Sequence, residues 1–154
     1  MSSYIADIAE AVKDALNAAV ASSGLSADFT AERVWVPEKD YSAVTGLVVW
    51  VFPRANLLFS SASTRRAQAT EVEINIVYAQ RLDQLTDPET EAANAAVDAM
   101  QQLGEEIADL IADRDQRYDG FPCLRTEQDP IYDFDILRTH RVFVGLIRCF
   151  FMRS

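Results

Sequence analysis

The sequence predicts an α+β domain: a single, mainly antiparallel sheet of four or five strands with two helices packed on one face. Three observations predict it. "SYIADIAEAVKDALNAAVASSGL" and the stretch from Thr86 to Arg117 carry apolar residues at helical spacing; "TEVEINIVY" alternates strictly; and "GLVVWVFPR" and "THRVFVGLIRCFFM" are apolar without alternation. In chain order these give α-β-β-β-α followed by one or two strands, within one domain covering residues 1–154.

The first helix runs from about Ser3 to Ser23 on a stripe of Ile5, Ile8, Val12, Ala15, Leu16, Ala19 and Val20, and Gly24 with Leu25 supplies a C-terminal stop. "FTAERVWV" at 29–36 is rich in strand formers and ends at Pro37, where "PEKDYSAVTG" takes over as turn and loop. The strand at 46–54 is apolar on both faces, so both are covered, and Pro53 marks a bulge or an edge. In the next strand Val72, Ile74, Ile76 and Tyr78 point one way and Glu71, Glu73 and Asn75 the other, the pattern of a half-buried strand. These two strands pair as a hairpin. Its arm, about 55–69, carries Leu57, Leu58 and Phe59 and ends in the short-chained tip "SASTRRAQ".

Asp87 as cap, Pro88 in the first turn and early acids open the second helix, with a stripe of Ala93, Val97, Met100, Leu103, Ile107, Leu110 and Ile111. At about 27 residues it would span roughly 40 Å. A loop holding Pro122 and Pro130 leads to a long terminal strand from Thr139 to Met152.

Charge is distributed unevenly. The chain carries 14 basic and 24 acidic residues, a formal −10. Between Asp83 and Asp119 eleven acids stand against Arg114 and Arg117, so nearly all of the net charge lies on or beside the second helix. That helix presents either a solvated outer face or a surface that keeps nucleic acid from sticking; nonspecific DNA binding by counterion release is not expected. Arg138, Arg141, Arg148 and Arg153 make the C-terminal end basic. No apolar run reaches the ~20 residues of a membrane span, and the N-terminal stretch, interrupted by Asp7, Glu10 and Asp14, lacks a signal-peptide core. A soluble protein made in the cytosol, with Cys123 and Cys149 reduced, is the expectation.

Catalytic signatures are sparse. There is no phosphate-binding glycine loop, HExxH or dinucleotide fingerprint. His140, the only histidine, reads as a strand-edge residue, and nothing recommends pairing it with either cysteine. Asp129, Asp133 and Asp135 could offer three oxygens, but without the EF-hand glycine or distal glutamate they read as a solvated loop. No catalytic residue, metal or cofactor is therefore expected. The αβββαβ order is shared with the PD-(D/E)xK nucleases, whose strand needs Glu-x-Lys; here it reads Glu71-Val72-Glu73, an acid replacing the lysine. A DNA-processing enzyme with a degraded site is the alternative.

The stretches "FTAERVWVPEKDY", "LVVWVFPR", "STRRAQATEVEINIVYAQRLD", "EEIADLIAD" and "DPIYDFDILRTHRVFVGLIRCFF", in this order, resemble the tail-terminator and neck (head-tail connector) proteins of tailed bacteriophages, over about Phe29 to Phe151. The resemblance implies a virion protein, assembled in the host cytoplasm, that forms a ring of about six copies at the head-proximal end of the tail tube. It also implies as partners other copies of the chain, the tail tube protein and a head-completion or connector protein, with DNA only as passing cargo and no membrane. Terminator and adjacent neck layer are both compatible with the pattern.

The residues lead toward self-association separately. Two helices cover one face of such a sheet, yet two strands are apolar on both, so a neighbouring subunit is the economical cover for the second face. In a ring the arm would lie over the next subunit, where Arg65 and Arg66 meet its acidic helix or its Glu71/Glu73 edge through bidentate bonds. Arg54, Leu57, Leu58, Phe59, Arg65, Arg66, Glu71 and Glu73 are thus the expected interface. Against this stands a surface loop whose arginines serve solubility.

Overall fold

The structure is a computed structural model and describes residues 4–35, 44–59, 70–129 and 134–153. The elements run α1 (Tyr4–Ala21), β1 (Ala31–Arg33), β2 (Val48–Phe59), β3 (Thr70–Arg81), a 3-10 turn (Asp83–Thr86), α2 (Glu91–Ile111), β4 (Cys123–Asp129), α3 (Phe134–His140) and β5 (Val142–Arg153). They build one five-stranded sheet in the order β1-β2-β3-β5-β4, antiparallel except for the β1–β2 pair. The α+β class and the β2–β3 hairpin are as the sequence predicts.

One face of the sheet is the main core. Val72, Ile74, Ile76 and Tyr78 of β3 and Phe143, Ile147, Cys149 and Phe151 of β5 meet Ile8, Val12 and Leu16 of α1 and Leu103, Ile107 and Ile111 of α2, all buried. The helices take this face because their apolar residues recur every three or four positions while the strands' recur every two. Tyr78 is wedged between α2 and β5: a Cβ at either Gly104 or Gly145 would collide with its ring. Both glycines are therefore packing requirements, which explains a glycine in mid-helix and another in mid-strand. Among the described residues the Tyr78 hydroxyl has no hydrogen-bond partner, and burial pushes the phenol up to about 12, with smaller contributions from Glu105 and Asp129.

Polar clips set the helices on the sheet. The Asn17 side chain donates to the Ala31 carbonyl (3.1 Å) and accepts from the Ala31 amide (2.7 Å), closing the outer edge of β1 much as a neighbouring strand would. The Ser26 amide donates to Glu106 Oε1 at 2.8 Å, tying the turn after α1 to α2. Partial burial disfavours the ionised Glu106 carboxyl, but this bond and one from Gln102 prevail and hold it below the usual carboxylate range.

Several boundaries differ from the sequence expectation. The second helix has 21 residues, not about 27, and its cap is Thr90, whose Oγ1 accepts the Ala93 amide at 3.1 Å; Asp87 precedes it in a separate turn. The first strand shrinks from eight residues to three, held by the Asn17 clip and by the Val34 amide bonding the Val51 carbonyl at 2.9 Å. Thr139 and His140 belong to the unforeseen α3, and the terminal strand starts at Val142 after Arg141, which takes a left-handed φ of 59° as a helix stop. Asp135 lies in α3 rather than in an extended segment, and Asp133 lies outside the described residues.

The second face is where the sequence argument needs most correction. Val77, Ala79, Val142, Val144 and Leu146 are buried there together with Val44, and Ile136 of α3 packs against them. Half of this face is thus covered within the subunit, and the inference that a neighbour must cover it does not hold for that half. Glu73 (3 % exposed) and Asn75 (1 %) are buried as well, so β3 is covered on both faces rather than half-buried.

Candidate functional site

Strand alternation places the other half of the second face on Arg54 of β2, Glu71 and Glu73 of β3, Arg148, Phe150 and Met152 of β5, and Arg125 and Glu127 of β4. Register brings these side chains together. Glu73 lies opposite Arg54 on one side and Phe150 on the other, Glu71 opposite Met152, Arg125 opposite Phe150, and Glu127 opposite Arg148.

The result is a ladder of ion pairs across four strands. Arg148 Nη2 donates to Glu73 Oε1 at 2.8 Å and its Nη1 to Glu127 Oε2 at 3.1 Å. Arg54 Nε lies 3.9 Å from Glu73 Oε2, Arg125 Nη2 2.9 Å from Glu71 Oε1, and Arg125 Nε 3.6 Å from Glu127 Oε1. The Arg125 approach to Glu71 is close but not aligned as a hydrogen bond. Arg125 and Arg148 also stand over the Phe150 ring, 4.0 and 5.2 Å from its centroid, which buries a large aromatic beneath two cations. The Glu73 bond holds Arg148 above its ordinary value, against a smaller opposing effect of burial.

Three glutamates and three arginines balance to zero in a strongly acidic chain. Such a surface neither attracts polyanions nor repels them; it can match another surface on which charges alternate. Glu73 is committed inside the subunit, buried and held by Arg148, so it is not open to a neighbour's arginines as expected. A carboxylate so engaged also gives the nuclease alternative no support.

Of the other expected residues, Leu57, Leu58 and Phe59 continue β2 opposite Val72, Glu71 and Thr70, beyond a bulge between Arg54 and Leu57. Arg65 and Arg66 lie outside the described residues. His140 ends α3 and is exposed. Burial raises both thiols, Cys149 strongly, which disfavours the reactive thiolate. Among the described residues no three His, Cys, Asp or Glu side chains converge as metal ligands.

Sequence reading missed Arg125, Glu127, Arg148 and Phe150. A signal was present: Arg148 interrupts an otherwise apolar terminal strand, and a charge in such a run needs a partner on the same face. Elsewhere, a cavity of about 450 Å³ opens between the turn after α1, the end of β3 and α2, with Arg81, Asp83 and Gln84 near Met100 and Leu103. Among the described residues no helix is long and apolar enough to cross a membrane. Neither the protein-family models nor the curated proteins contain a match to this chain.

Proposed function

We propose that this chain is a structural, non-catalytic phage virion protein that assembles into a closed ring of about six copies, serving at the neck or at the head-proximal end of the tail tube. There it terminates the tail, joins it to the head connector and lets DNA pass. The observation that carries the reading is the asymmetry of the sheet edges. On one side β1 covers β2 only at 49–51, so β2 from Phe52 outward has no strand beside it among the described residues, and the hairpin extends to Phe59↔Thr70. On the other side the edge is β4, short and charged. Closed rings need two different, complementary surfaces on each subunit, and this fold offers two different edges. The resemblance of the sequence to terminator and neck proteins supplies the setting.

Charge agrees with a conduit. Six copies of −10 give about −60, and weak, repulsive walls let DNA slide rather than stick. Arg65 and Arg66 would engage the acidic outer face of a neighbour's α2, where Glu91, Asp98, Glu105 and Asp109 are exposed.

The test is assembly. Light scattering and electron microscopy of the purified chain are expected to show rings, and Arg65→Glu/Arg66→Glu to give a folded monomer melting within a few degrees of the parent. A double variant that still forms rings would make the arginines a solubility device, and one that unfolds would place them inside the subunit.

A further inference from the structure

We infer that copies of this chain meet edge to edge and head to tail, the β1/β2 edge of one against the β4 edge of the next, with strand direction along the assembly axis. This contact rests on the ring reading above and specifies which surfaces make it. Three independent observations locate it.

The first is charge order. Across the sheet the ladder reads Arg54, Glu73, Arg148, Glu127, beginning with a cation on β2 and ending with an anion on β4. Both ends are half-exposed, at 55 % and 48 % of their side chains, while Glu73 between them is buried. A second copy set beside the first brings its Glu127 toward Arg54, while its Arg125, level with Arg54, is turned inward onto the Phe150 ring and Glu71. Through the ladder, Glu127 is level with Phe52 and so two residues from Arg54 on the same face, a diagonal an arginine can span.

The second is exposed apolar surface. Among the described residues, the large hydrophobic side chains left exposed are Trp35 and Leu124. They sit at opposite edges, Trp35 just past β1 and Leu124 in the β4 bulge between Cys123 and Arg125. Arg33↔Val51 puts Trp35 near the level of Pro53, and Leu124 lies about one residue further along. Aromatic and aliphatic anchors of this kind, ringed by charge, are the usual centre of a protein contact.

The third is polarity. β2 runs antiparallel to β3, β3 to β5 and β5 to β4, so β4 runs opposite to β2. A copy in the same orientation therefore presents its β4 antiparallel to β2. The contact is made by side chains rather than by strand addition. The Val51 carbonyl already faces β1, so two residues on Pro53 faces the same way without an amide to offer, and a bulge follows.

A head-to-tail contact has a property that a two-fold contact lacks. Trp35→Asp blocks one edge and leaves the other intact; Leu124→Asp does the reverse. In sedimentation velocity on the full chain, each variant alone should be monomeric, and an equal mixture should give dimers and nothing larger. Circular dichroism should show both folded, as the substituted side chains are exposed; if either is not, Trp35→Ser or Leu124→Ser replaces it. Wild-type oligomers that persist in both single variants overturn this contact and leave the ring reading standing. A mixture that stays monomeric, or that rebuilds full-size oligomers, overturns the head-to-tail geometry. A wild-type chain that is monomeric at millimolar concentration overturns contact and ring together.

Discussion

Ile74 and Glu73 are neighbours on β3, at 0 % and 3 % exposure, yet they are buried by different means. Ile74 lies in a core closed by two amphipathic helices, where shape does the work and Tyr78 leaves room for nothing but glycine at two positions. Glu73 lies under arginines anchored on flanking strands, which stay partly wet while they cover it. The helix face is specified by volume and the ladder face by pairing. The first tolerates no added atom; the second tolerates no missing partner.

The sharpest break in that comparison is Arg148→Ala. It leaves a buried carboxylate with Arg54, at 3.9 Å, as its remaining cation among the described residues, and removes one of the two cations over Phe150. Removing one member of a buried pair costs about 3–5 kcal/mol, whereas replacing both members by apolar residues is often neutral. Urea denaturation should therefore show a large loss for Arg148→Ala and a small one for Glu73→Leu/Arg148→Leu. Equal losses in the two would mean that the ladder is held by packing, like the other face.

Gly145→Ala comes next. In most strand interiors alanine is no worse than glycine, but here its methyl meets the Tyr78 ring, and overpacking of this kind costs about 1–3 kcal/mol. A thermal melt showing no loss would mean that the ring is free to move. The smallest effect has the opposite sign. Tyr78→Phe removes a buried hydroxyl without a partner and should stabilise by about 1 kcal/mol, since an unpaired buried polar group is a net cost. A loss of stability would reveal a partner for that hydroxyl.

Much of the helix face was legible because it is periodic. The stripe Ile8, Val12, Leu16 and the alternation Val72, Ile74, Ile76, Tyr78 each identify an element and its inward side, and both are found in the core. The second face resisted for a different reason. Glu71, Glu73 and Asn75 read as solvent-facing because the β4 and β5 residues that cover them lie about 50 to 80 positions away, and local pattern carries no information about strand order. The seven-residue α3 is too short to show a period, so the sequence alone carries no sign of the cover that its Ile136 contributes to the second face. Arg54 is among the expected interface residues, but its opposition to Glu73 requires the register.

The wedge of Tyr78 between two glycines also fixes the order in which this protein can change. A methyl at position 104 or 145 strains the fold while the tyrosine stands, whichever comes first, because each alone meets the same ring. Shrinking the tyrosine first opens a space that either methyl can then enter. Three positions on three elements, far apart in the chain, are thus energetically coupled, and the route to a descendant without the glycines that costs least stability runs through the loss of the tyrosine.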